Sequence, residues 1–363
     1  MKEDLKYWNA INLNTKIGPA KFKKLYVHFK TMHQAWKADS IELLKCGLKE
    51  KDVNYFLAKR PSINVDSEFE KLEKENIKVI TIKDKKYPKL LKEIYSPPPV
   101  LYIKGNIDIN PCIGVVGTRK FSPYGKEIVE TIVRDLALSK ITIVSGLALG
   151  IDALAHQETL KNNGQTYAIL GSGVNQRNIY PSNNRRIAEQ ILDKGGAIIS
   201  EYPYGTPPLK HHFPARNRII AGLSLATLVI EAPKESGALI TANYALEQNR
   251  DVFAVPGNIF SKNSEGTNNL IKMGASPVTE SSDILEELNL KQIIKSPQKR
   301  KIAPETPEEE KVISSLSQDP LHINKIAKNT GLNIKTISST LTMMEIKGMV
   351  KNMGNMEYIL VYK

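Results

Sequence analysis

The segment CIGVVGTRKFSPYG (residues 112–125), with ITIVSGLALGID (residues 141–152) after it, decides the fold of this chain. Residues 113–116 and 141–144 are short apolar runs rich in β-branched side chains, which is typical of buried parallel strands. Between them, a serine followed by a proline starts a run with helical periodicity, from about residue 122 to residue 139. This order predicts two parallel strands joined by a right-handed crossover.

Small residues follow both strands at the point where each strand ends. Gly117, Thr118 and Arg119 follow the first strand, and Ser145 and Gly146 follow the second. Because the carboxyl ends of parallel strands lie at one edge of a sheet, we expect these residues to border the same crevice. Backbone N–H groups and helix N-termini favour anions there, and an arginine side chain matches the geometry of phosphate. The segment therefore predicts a phosphate-binding site.

Strands and helices continue to alternate up to about residue 290, which predicts an α/β fold with a parallel, doubly wound sheet. Later strand ends and helix starts carry further small, polar and basic residues. Arginines near a crevice can serve only as ion-pair partners, but several of them in so basic a chain favour anion binding. The further residues that we expect to contact phosphates are Gly173, Arg185, Arg186, Arg216, Arg218, Ser236 and Gly237.

Three acidic residues stand at or near the strand ends: Asp152, Glu201 and Glu231. They could act as general acids or bases. We favour the alternative that Asp152 caps its helix and that the glutamates pair with arginines. The Walker A and dinucleotide-binding motifs, a nucleophile elbow and a helical histidine pair with metal-ligand spacing are all absent from the sequence. We therefore predict no catalytic residue, no cofactor and no metal, and hence not an enzyme.

The composition bounds the partners and the compartment. The chain has 363 residues and a formal net charge of +13, which favours a polyanionic partner such as nucleic acid, although lysine-rich chains are also basic without binding it. Cys46 and Cys112 are the only cysteines, so no disulfide framework is suggested. The sequence has neither a signal-peptide pattern nor an apolar run of the ~20 residues that a membrane span needs. We expect a soluble cytoplasmic protein with no membrane partner.

The chain divides into three modules and a linker. Residues 1–65 have the pattern of a small helical (helix-hairpin-helix/SAM-like) domain, whose glycine turns either donate N–H groups to a DNA phosphate or only join packed helices. Residues 66–290 hold the sheet, and residues 291–304 form a basic linker with a proline. Residues 305–363 have the order of a winged helix, three helices and a hairpin. Whether that module binds DNA or a protein stays open, because its third helix has few arginines.

Several motifs, in order along residues 77–290, resemble those of the DprA (Smf) family of DNA-processing proteins. The resemblance lies in VGTR (116–119), SGLALGID (145–152), SEYP (200–203), FPARNRIIAG (213–222) and SGALITA (236–242). The helical module and the winged helix resemble the accessory domains of this family more loosely.

The resemblance implies an extended Rossmann-like domain that binds single-stranded DNA and forms a homodimer. It also implies that the protein protects incoming DNA and loads a RecA-type recombinase onto it in natural transformation and homologous recombination, helped by displacement of single-strand binding protein. Catalytic turnover is not implied. The phosphate-contacting positions of the family fall on Gly117, Thr118 and Arg119 and, in a second basic element, on Asn184, Arg185 and Arg186.

An aromatic side chain near the groove would stack on a base of the bound strand, and such stacking contributes about 1–3 kcal/mol per base. Phe213 and Tyr180 are the candidates, although packing in the core is the more ordinary role for each.

Two other functions remain open. A phosphoribohydrolase of the lysine-decarboxylase-like family would share the Rossmann-like core, but its Pro-Gly-Gly-x-Gly-Thr signature is replaced here by APKESG (232–237). A winged-helix transcription factor would instead protect a specific duplex sequence in a footprint.

Overall fold

The computed structural model describes residues 2–108, 110–290, 304–317, 320–347 and 349–360. The chain divides into two compact units, Met1–Lys295 and Ser296–Lys363. Most of the predicted linker, residues 291–303, lies outside the described residues.

A nine-stranded mixed sheet forms the centre of the first unit. Its strands are β1 (Lys78–Thr81), β2 (Val100–Gly105), β3 (Cys112–Val116), β4 (Thr142–Ser145), β5 (Thr166–Ile169), β6 (Ala197–Ser200), β7 (Ala226–Val229), β8 (Asp251–Ala254) and β9 (Ser276–Pro277). Their order is β1-β2-β6-β5-β4-β3-β7-β8-β9. The seven neighbouring strands β6-β5-β4-β3-β7-β8-β9 are parallel to one another. Strand β2 pairs antiparallel with both β6 and β1. The predicted α/β fold with a large parallel sheet is confirmed, with an antiparallel pair added at one edge.

The strand order places the first quoted segment at the centre of the sheet. After β3 the chain moves to β4 on one side, and it later returns to β7 on the other side of β3. In open α/β sheets, the crevice beside such a reversal is where ligands bind. Val115, Ile143 and Leu228 are buried on one face of the sheet, and Val116, Val144 and Val229 are buried on the other, which explains why these strands are apolar on both faces.

One group of helices precedes the first strand of the sheet in the chain, and a second group lies between the strands and after them. The N-terminal helices are α1 (Lys2–Asn12), α2 (Pro19–His28), α3 (Met32–Lys37), α4 (Ser40–Lys45), α5 (Glu50–Lys59) and α6 (Val65–Lys74). The helices among the strands are α7 (Lys89–Lys92), α8 (Pro123–Ile128), α9 (Arg134–Leu138), α10 (Ile151–Lys161), α11 (Arg185–Asp193), α12 (His212–Leu223), α13 (Gly237–Glu247), α14 (Glu265–Lys272) and α15 (Ser281–Glu287). A π-helical turn, Val129–Val133, joins α8 to α9, so the helix predicted over residues 122–139 is continuous.

The N-terminal helices pack around a small aromatic core and contact the sheet. The Trp8 and Phe22 rings stack with their centroids 5.3 Å apart. The Asn12 side chain donates to the Tyr102 hydroxyl (3.2 Å) and to the Glu201 carbonyl oxygen (3.0 Å). The helical module and the sheet therefore belong to one compact unit.

The second unit has the winged-helix order. It consists of α16 (Pro307–Ser315), β10 (Leu321–His322), α17 (Ile323–Thr330), α18 (Ile334–Ile346), β11 (Val350–Gly354) and β12 (Glu357–Leu360). The three strands pair in the order β10-β12-β11, and Val312, Ile326 and Leu341 are buried in its core. Across the described ranges of the chain, no helix has both the length and the apolar character needed to cross a membrane.

Candidate nucleic-acid interface

After β3 the chain forms a turn that is hydrogen-bonded to the segment after β7 and to the start of α10. The Thr118 N–H donates to the Glu231 carbonyl oxygen (2.7 Å), and the Thr118 carbonyl oxygen accepts from the Ile151 N–H (3.1 Å). Gly117 packs so closely on α10 that a Cβ there would lie 2.6 Å from the Ile151 side chain. Thr118 is buried as a result, and Arg119 is exposed to solvent.

Glu231 holds the far end of the same turn. Its buried carboxylate accepts hydrogen bonds from the Ser122 N–H (2.9 Å) and the Ser122 hydroxyl (2.5 Å), and a weaker one from Asn263 (3.4 Å). The Ser122 oxygen in turn accepts from the Gly125 N–H (3.1 Å) and caps α8. The expectation that Glu231 pairs with an arginine is therefore wrong, because its partners are Ser122 and Asn263. This carboxylate positions the start of α8.

The loop after β4, residues 146–150, is held by hydrogen bonds to a buried aspartate and a buried arginine. We call it the β4 loop. The Gly146 N–H donates to Asp152 Oδ2 (3.0 Å), and the Gly146 carbonyl oxygen accepts from Arg216 Nη1 (2.6 Å). The same Nη1 also donates to the Ile169 carbonyl oxygen. A Cβ at position 146 would lie 2.6 Å from the Arg216 guanidinium, so glycine is required there.

Asp152 and Arg216 are both buried beneath the β4 loop, only 6% and 4% exposed, and their opposite charges interact without a direct hydrogen bond. Burial raises the pKa of the Asp152 carboxyl, while the Arg216 charge and the Gly146 N–H oppose that rise. Burial lowers the pKa of Arg216 to about 10, so it stays charged at neutral pH. The expectation that Asp152 caps its helix is wrong, because Gly150 is the N-cap of α10 and the carboxylate binds the preceding loop. Arg216 positions that loop.

An open pocket lies beside the β4 loop. It is lined by Arg119, Gly146, Ala148, Leu149, Tyr180, Pro181, Phe213 and Arg216. We call it the Arg119 pocket. Among the described residues, the Arg119 side chain has no ion pair and no hydrogen bond. The pocket therefore presents an uncompensated cation to any anion that enters.

The far wall of the Arg119 pocket is aromatic. The Tyr180 side chain is 50% exposed, and its ring lies 5.6 Å from the Phe213 ring, centroid to centroid, at an angle of 41°. Phe213 is half-buried and packs on the strand end at Gly171. Tyr180 thus has an exposed face on which a base can stack, and Phe213 supports it from behind.

Two backbone N–H groups that are predicted from the sequence to bind an anion already donate hydrogen bonds to acceptors within the protein. The Thr118 N–H is bound to the Glu231 carbonyl oxygen, and the Gly146 N–H is bound to Asp152. These two residues shape the pocket through their backbones. Any anion in the pocket has its charged partner in Arg119.

The second basic element lies beside the pocket. Asn184 is buried, and its side-chain amide donates to two carbonyl oxygens of the β4 region, those of Leu147 (2.9 Å) and Ala148 (3.1 Å). Arg185 and Arg186, at the start of α11, are both exposed. The element therefore combines a buried asparagine, which supports the β4 region, with two exposed arginines.

Two more predicted site residues lie at the same sheet edge but inside the fold. The buried Ser145 hydroxyl donates to the Val115 carbonyl oxygen (2.6 Å), and the Gly173 N–H donates to the Thr206 carbonyl oxygen (2.9 Å). Their polar groups are used to join neighbouring segments, and a phosphate cannot reach them without displacing these bonds.

The remaining three predicted residues differ in their accessibility. Arg218 makes a two-point ion pair with Glu201 (2.6 and 2.7 Å), which confirms the predicted pairing of that glutamate with an arginine. The Ser236 hydroxyl accepts from the Ala238 N–H (3.3 Å) and caps α13. Gly237 is exposed in the first turn of that helix. The α13 start is thus open to solvent, whereas Arg218 is neutralised by its partner.

His156 lies in α10 with its ring fully buried. The Thr166 hydroxyl donates its only proton to the Ile143 carbonyl oxygen (2.7 Å), so it must accept from His156 Nδ1 (2.7 Å). His156 Nε2 has no partner among the described residues. Burial and the nearby Arg216 charge lower the pKa of His156 to about 3, so this ring is neutral.

Because of His156, we expect the free energy of unfolding to decrease as the pH is lowered. Its pKa is depressed in the folded protein, from about 6.5 in an unfolded chain to about 3, so the stabilisation is complete above pH 6.5 and is lost progressively as the pH falls towards 3. The slope contributed by one such group is at most ~1.4 kcal/mol per pH unit. Urea titrations between these pH values should show a smaller slope for His156→Gln than for the unchanged protein; equal slopes would contradict the assignment.

Replacement of Gly117 tests how closely the β3 turn packs on α10. The new methyl of Gly117→Ala would overlap the Ile151 side chain, and such overpacking typically costs about 1–3 kcal/mol of stability. Gly237→Ala is the matched control, because a Cβ at that position meets no atom within 4 Å. Urea denaturation should show the loss for the first variant only, and similar stability of the two would refute the tight packing.

Sequence reasoning missed part of the pocket wall. Ala148, Leu149 and Pro181 line the Arg119 pocket, and Leu149 is 44% exposed although it is apolar. The sequence signals were the SGLALGID motif (145–152) for Ala148 and Leu149 and, for Pro181, its position between residues that were predicted to bind phosphate. Nothing in their chemistry marks them as ligand contacts.

The sequence matches the family model of DNA recombination-mediator protein A over residues 78–289 and that of the DprA winged helix domain over residues 296–355. Protein Smf of Synechocystis is 38% identical over 97% of this chain and 98% of its own length. The X-ray structure of DprA from Streptococcus pneumoniae is similar, with a TM-score of 0.65 and 37% identity over 78% of this chain and 95% of that one.

DNA processing protein A of Helicobacter pylori, whose single-stranded DNA binding mode has been described structurally, is also similar. It has a TM-score of 0.53 and 29% identity over 60% of this chain and 98% of that one. The first family model covers more than half of the chain, and the match to the Synechocystis protein spans nearly all of both sequences. The chain therefore belongs to the DNA recombination-mediator protein A (DprA/Smf) family, whose members act in DNA processing and recombination.

Proposed function

We propose that this protein is a non-catalytic, cytoplasmic single-stranded DNA-binding protein that protects incoming DNA and loads a RecA-type recombinase onto it in natural transformation and homologous recombination. The observation that carries the proposal is Arg119, an exposed guanidinium without a partner among the described residues, in a pocket that the exposed ring of Tyr180 also lines. A phosphate on an arginine and a base on an aromatic ring form the usual grip on a single strand. The similar Helicobacter pylori protein binds single-stranded DNA.

The proposed contacts divide into two groups. Arg119, Arg185 and Arg186 are exposed cations that contact phosphates, and Gly237 at the α13 start is open to a further one. The residues that shape and support this surface are Gly117, Thr118, Ser145, Gly146, Gly173, Asn184, Arg216, Arg218 and Ser236.

The absence of turnover is supported by where the carboxylates lie. Among the residues that the structure describes, no acidic side chain lines the Arg119 pocket. Asp152, Glu201 and Glu231 each bind groups of the fold: a backbone N–H, an arginine and a helix cap. A nucleotide hydrolase needs an acid or base that reaches the substrate. Release of free base from nucleoside monophosphates incubated with the protein would favour the enzymatic alternative.

A fluorescence anisotropy titration tests DNA binding directly. Labelled oligothymidylate and a duplex of equal length are titrated at two salt concentrations. We expect tighter binding of the single strand and a loss of affinity with salt, since each phosphate contact on a single strand releases counterions with a slope of about 0.7 in log K per log salt. Equal affinity for both forms, or no binding of either, would refute the proposal.

Recombinase loading is a separate step and needs its own test. A RecA-type ATPase is assayed on single-stranded DNA that is already covered by single-strand binding protein. We expect this protein to restore the ATPase, and the Arg119→Ala variant to fail at protein concentrations where it leaves most DNA unbound. If the variant restores the ATPase at those concentrations, recombinase loading does not depend on the Arg119 pocket.

The proposed homodimer is joined through the Rossmann-like domain. Ile259 and Phe260 follow β8 and are 77% and 89% exposed, so this domain carries apolar surface that is available to a second copy. Sedimentation velocity should show a dimer at micromolar concentration, and a monomer at all concentrations would contradict it. The domain boundaries at residues 65, 290 and 304 and the role of the winged helix, in DNA or protein binding, remain part of this proposal.

A further inference from the structure

A second open cleft, with about 960 Å³ of empty space, lies in the first unit. It is lined by Lys74, Glu75, Asn76, Lys104, Gln176, Arg177 and Tyr204. We call it the Lys104 cleft. Three of these residues are cations and one is an acid, so the lining carries a net positive charge.

The single acid of the Lys104 cleft is already bound. Glu75 Oε1 accepts from the Tyr204 hydroxyl (2.9 Å), and Glu75 Oε2 lies 3.4 Å from Lys104 Nζ. The second distance is longer than a usual N–H···O hydrogen bond, and an ammonium group has three donors. Lys104 therefore keeps donors for a further anion.

The other two cations are even less compensated. The Arg177 side chain is exposed and has no partner among the described residues. Lys74 has one ion pair, with Glu70 at 3.7 Å, and both side chains are largely exposed, so this pair is weak. The donors of Arg177 and Lys104 face the same open space.

The Lys104 cleft and the Arg119 pocket share one chain segment. Arg177 lines the cleft and Tyr180 lines the pocket, and three residues of chain span at most ~11 Å. Arg185 ties this segment to the start of α11, since its guanidinium donates to the Arg177 carbonyl oxygen (3.0 Å). The exposed cations thus run from Arg119 past α11 to Arg177.

We infer that the Lys104 cleft is an outlying phosphate subsite for single-stranded DNA, in which Lys104 and Arg177 hold successive phosphodiester groups of a strand that leaves the Arg119 pocket past Tyr180. The inference rests on the proposed DNA-binding function and adds the path of the strand. An open, polar cleft suits a polymer that enters and leaves, and two separated cations suit successive phosphates.

The test compares two oligonucleotide lengths. A thymidine dinucleotide is short enough to occupy the Arg119 pocket alone, and an oligothymidylate of about 20 nucleotides is long enough to reach both sites, given the site sizes of single-strand binding proteins. The variant is Lys104→Gln/Arg177→Gln in the full chain. The control is Lys140→Gln/Lys161→Gln, which removes the same charge just before β4 and at the end of α10, at positions that line neither the cleft nor the pocket.

We expect the Lys104→Gln/Arg177→Gln variant to bind the longer oligonucleotide at least tenfold more weakly and the shorter one with less than a twofold change. The salt slope for the longer one should fall by about 1.4, for two lost contacts at 0.7 each. The control should change neither. Circular dichroism should give the same melting temperature for variant and unchanged protein.

Three results would overturn the inference. One is an unchanged affinity of the variant for the longer oligonucleotide, and another is an equal loss for both lengths. The third is a loss of thymidine monophosphate binding with oligonucleotide binding intact, which would make the cleft a nucleotide site. Failure of the unchanged protein to bind either oligonucleotide would instead refute the proposed function, so the two failures are distinguishable.

Discussion

Arg119→Ala should weaken the binding of oligothymidylate by well over tenfold while the protein remains folded. Arg119 is exposed and its side chain has no partner among the described residues, so its removal breaks no hydrogen bond or ion pair of the described fold. It is also the exposed cation of its pocket, and a tenfold loss corresponds to ~1.4 kcal/mol, within the range of one charge-assisted phosphate contact. Anisotropy titration measures the affinity, and the salt slope should fall by about 0.7.

Lys161→Ala is the control for this experiment. Lys161 ends α10, the helix whose first residue packs against the β3 turn, and 11 helical residues span ~16 Å. The control removes one positive charge from the same helix at a distance from the pocket. Its affinity should stay within twofold of the unchanged protein. A similar loss in both variants would show that net charge, and not the pocket, determines binding.

Arg216→Leu should lower the free energy of unfolding by about 2–5 kcal/mol, because each buried acceptor left without its donor costs about 1–3 kcal/mol and a buried acid loses the charge that compensates it. Asp152 would be left buried without the positive charge that opposes the rise of its pKa, and the carbonyl oxygens of Gly146 and Ile169 would lose their donor. The β4 loop would also lose its support, so oligothymidylate binding should fall together with stability. Urea denaturation followed by circular dichroism measures the first effect.

A second substitution separates the buried charge from the lost hydrogen bonds. Asp152→Asn/Arg216→Leu leaves no charge under the β4 loop, while an amide oxygen at position 152 can still accept from the Gly146 N–H. We expect the double variant to be more stable than Arg216→Leu alone. If it is less stable, Asp152 and Arg216 are not electrostatically coupled in the folded protein.

The fold was largely predictable because its signals are local. Apolar runs such as 113–116 appear in the structure as buried strands, and Ser122 with Pro123 starts a helix as predicted. The antiparallel pairing of β2 with β6 was not predictable in this way. Residues 100–105 and 197–200 are far apart in the chain, and their pairing depends on the whole sheet.

The site was predictable as a place but not as a set of contacts. Spacing brings Arg119, Gly146 and Arg216 to one sheet edge, as the pocket shows. Spacing does not tell which arginine is free, since Arg218 meets Glu201 and Arg216 meets two carbonyl oxygens only after folding. Exposure and partner atoms are properties of the folded chain.

The buried support of the β4 loop has a consequence for kinetics. Gly146 is held through both its N–H and its carbonyl oxygen before any ligand arrives, so the surface is preorganised and its backbone should move by less than ~1 Å on complex formation. Encounter is then not gated by a rearrangement of this loop. The rate at which a strand is captured should therefore vary with ionic strength and diffusion alone.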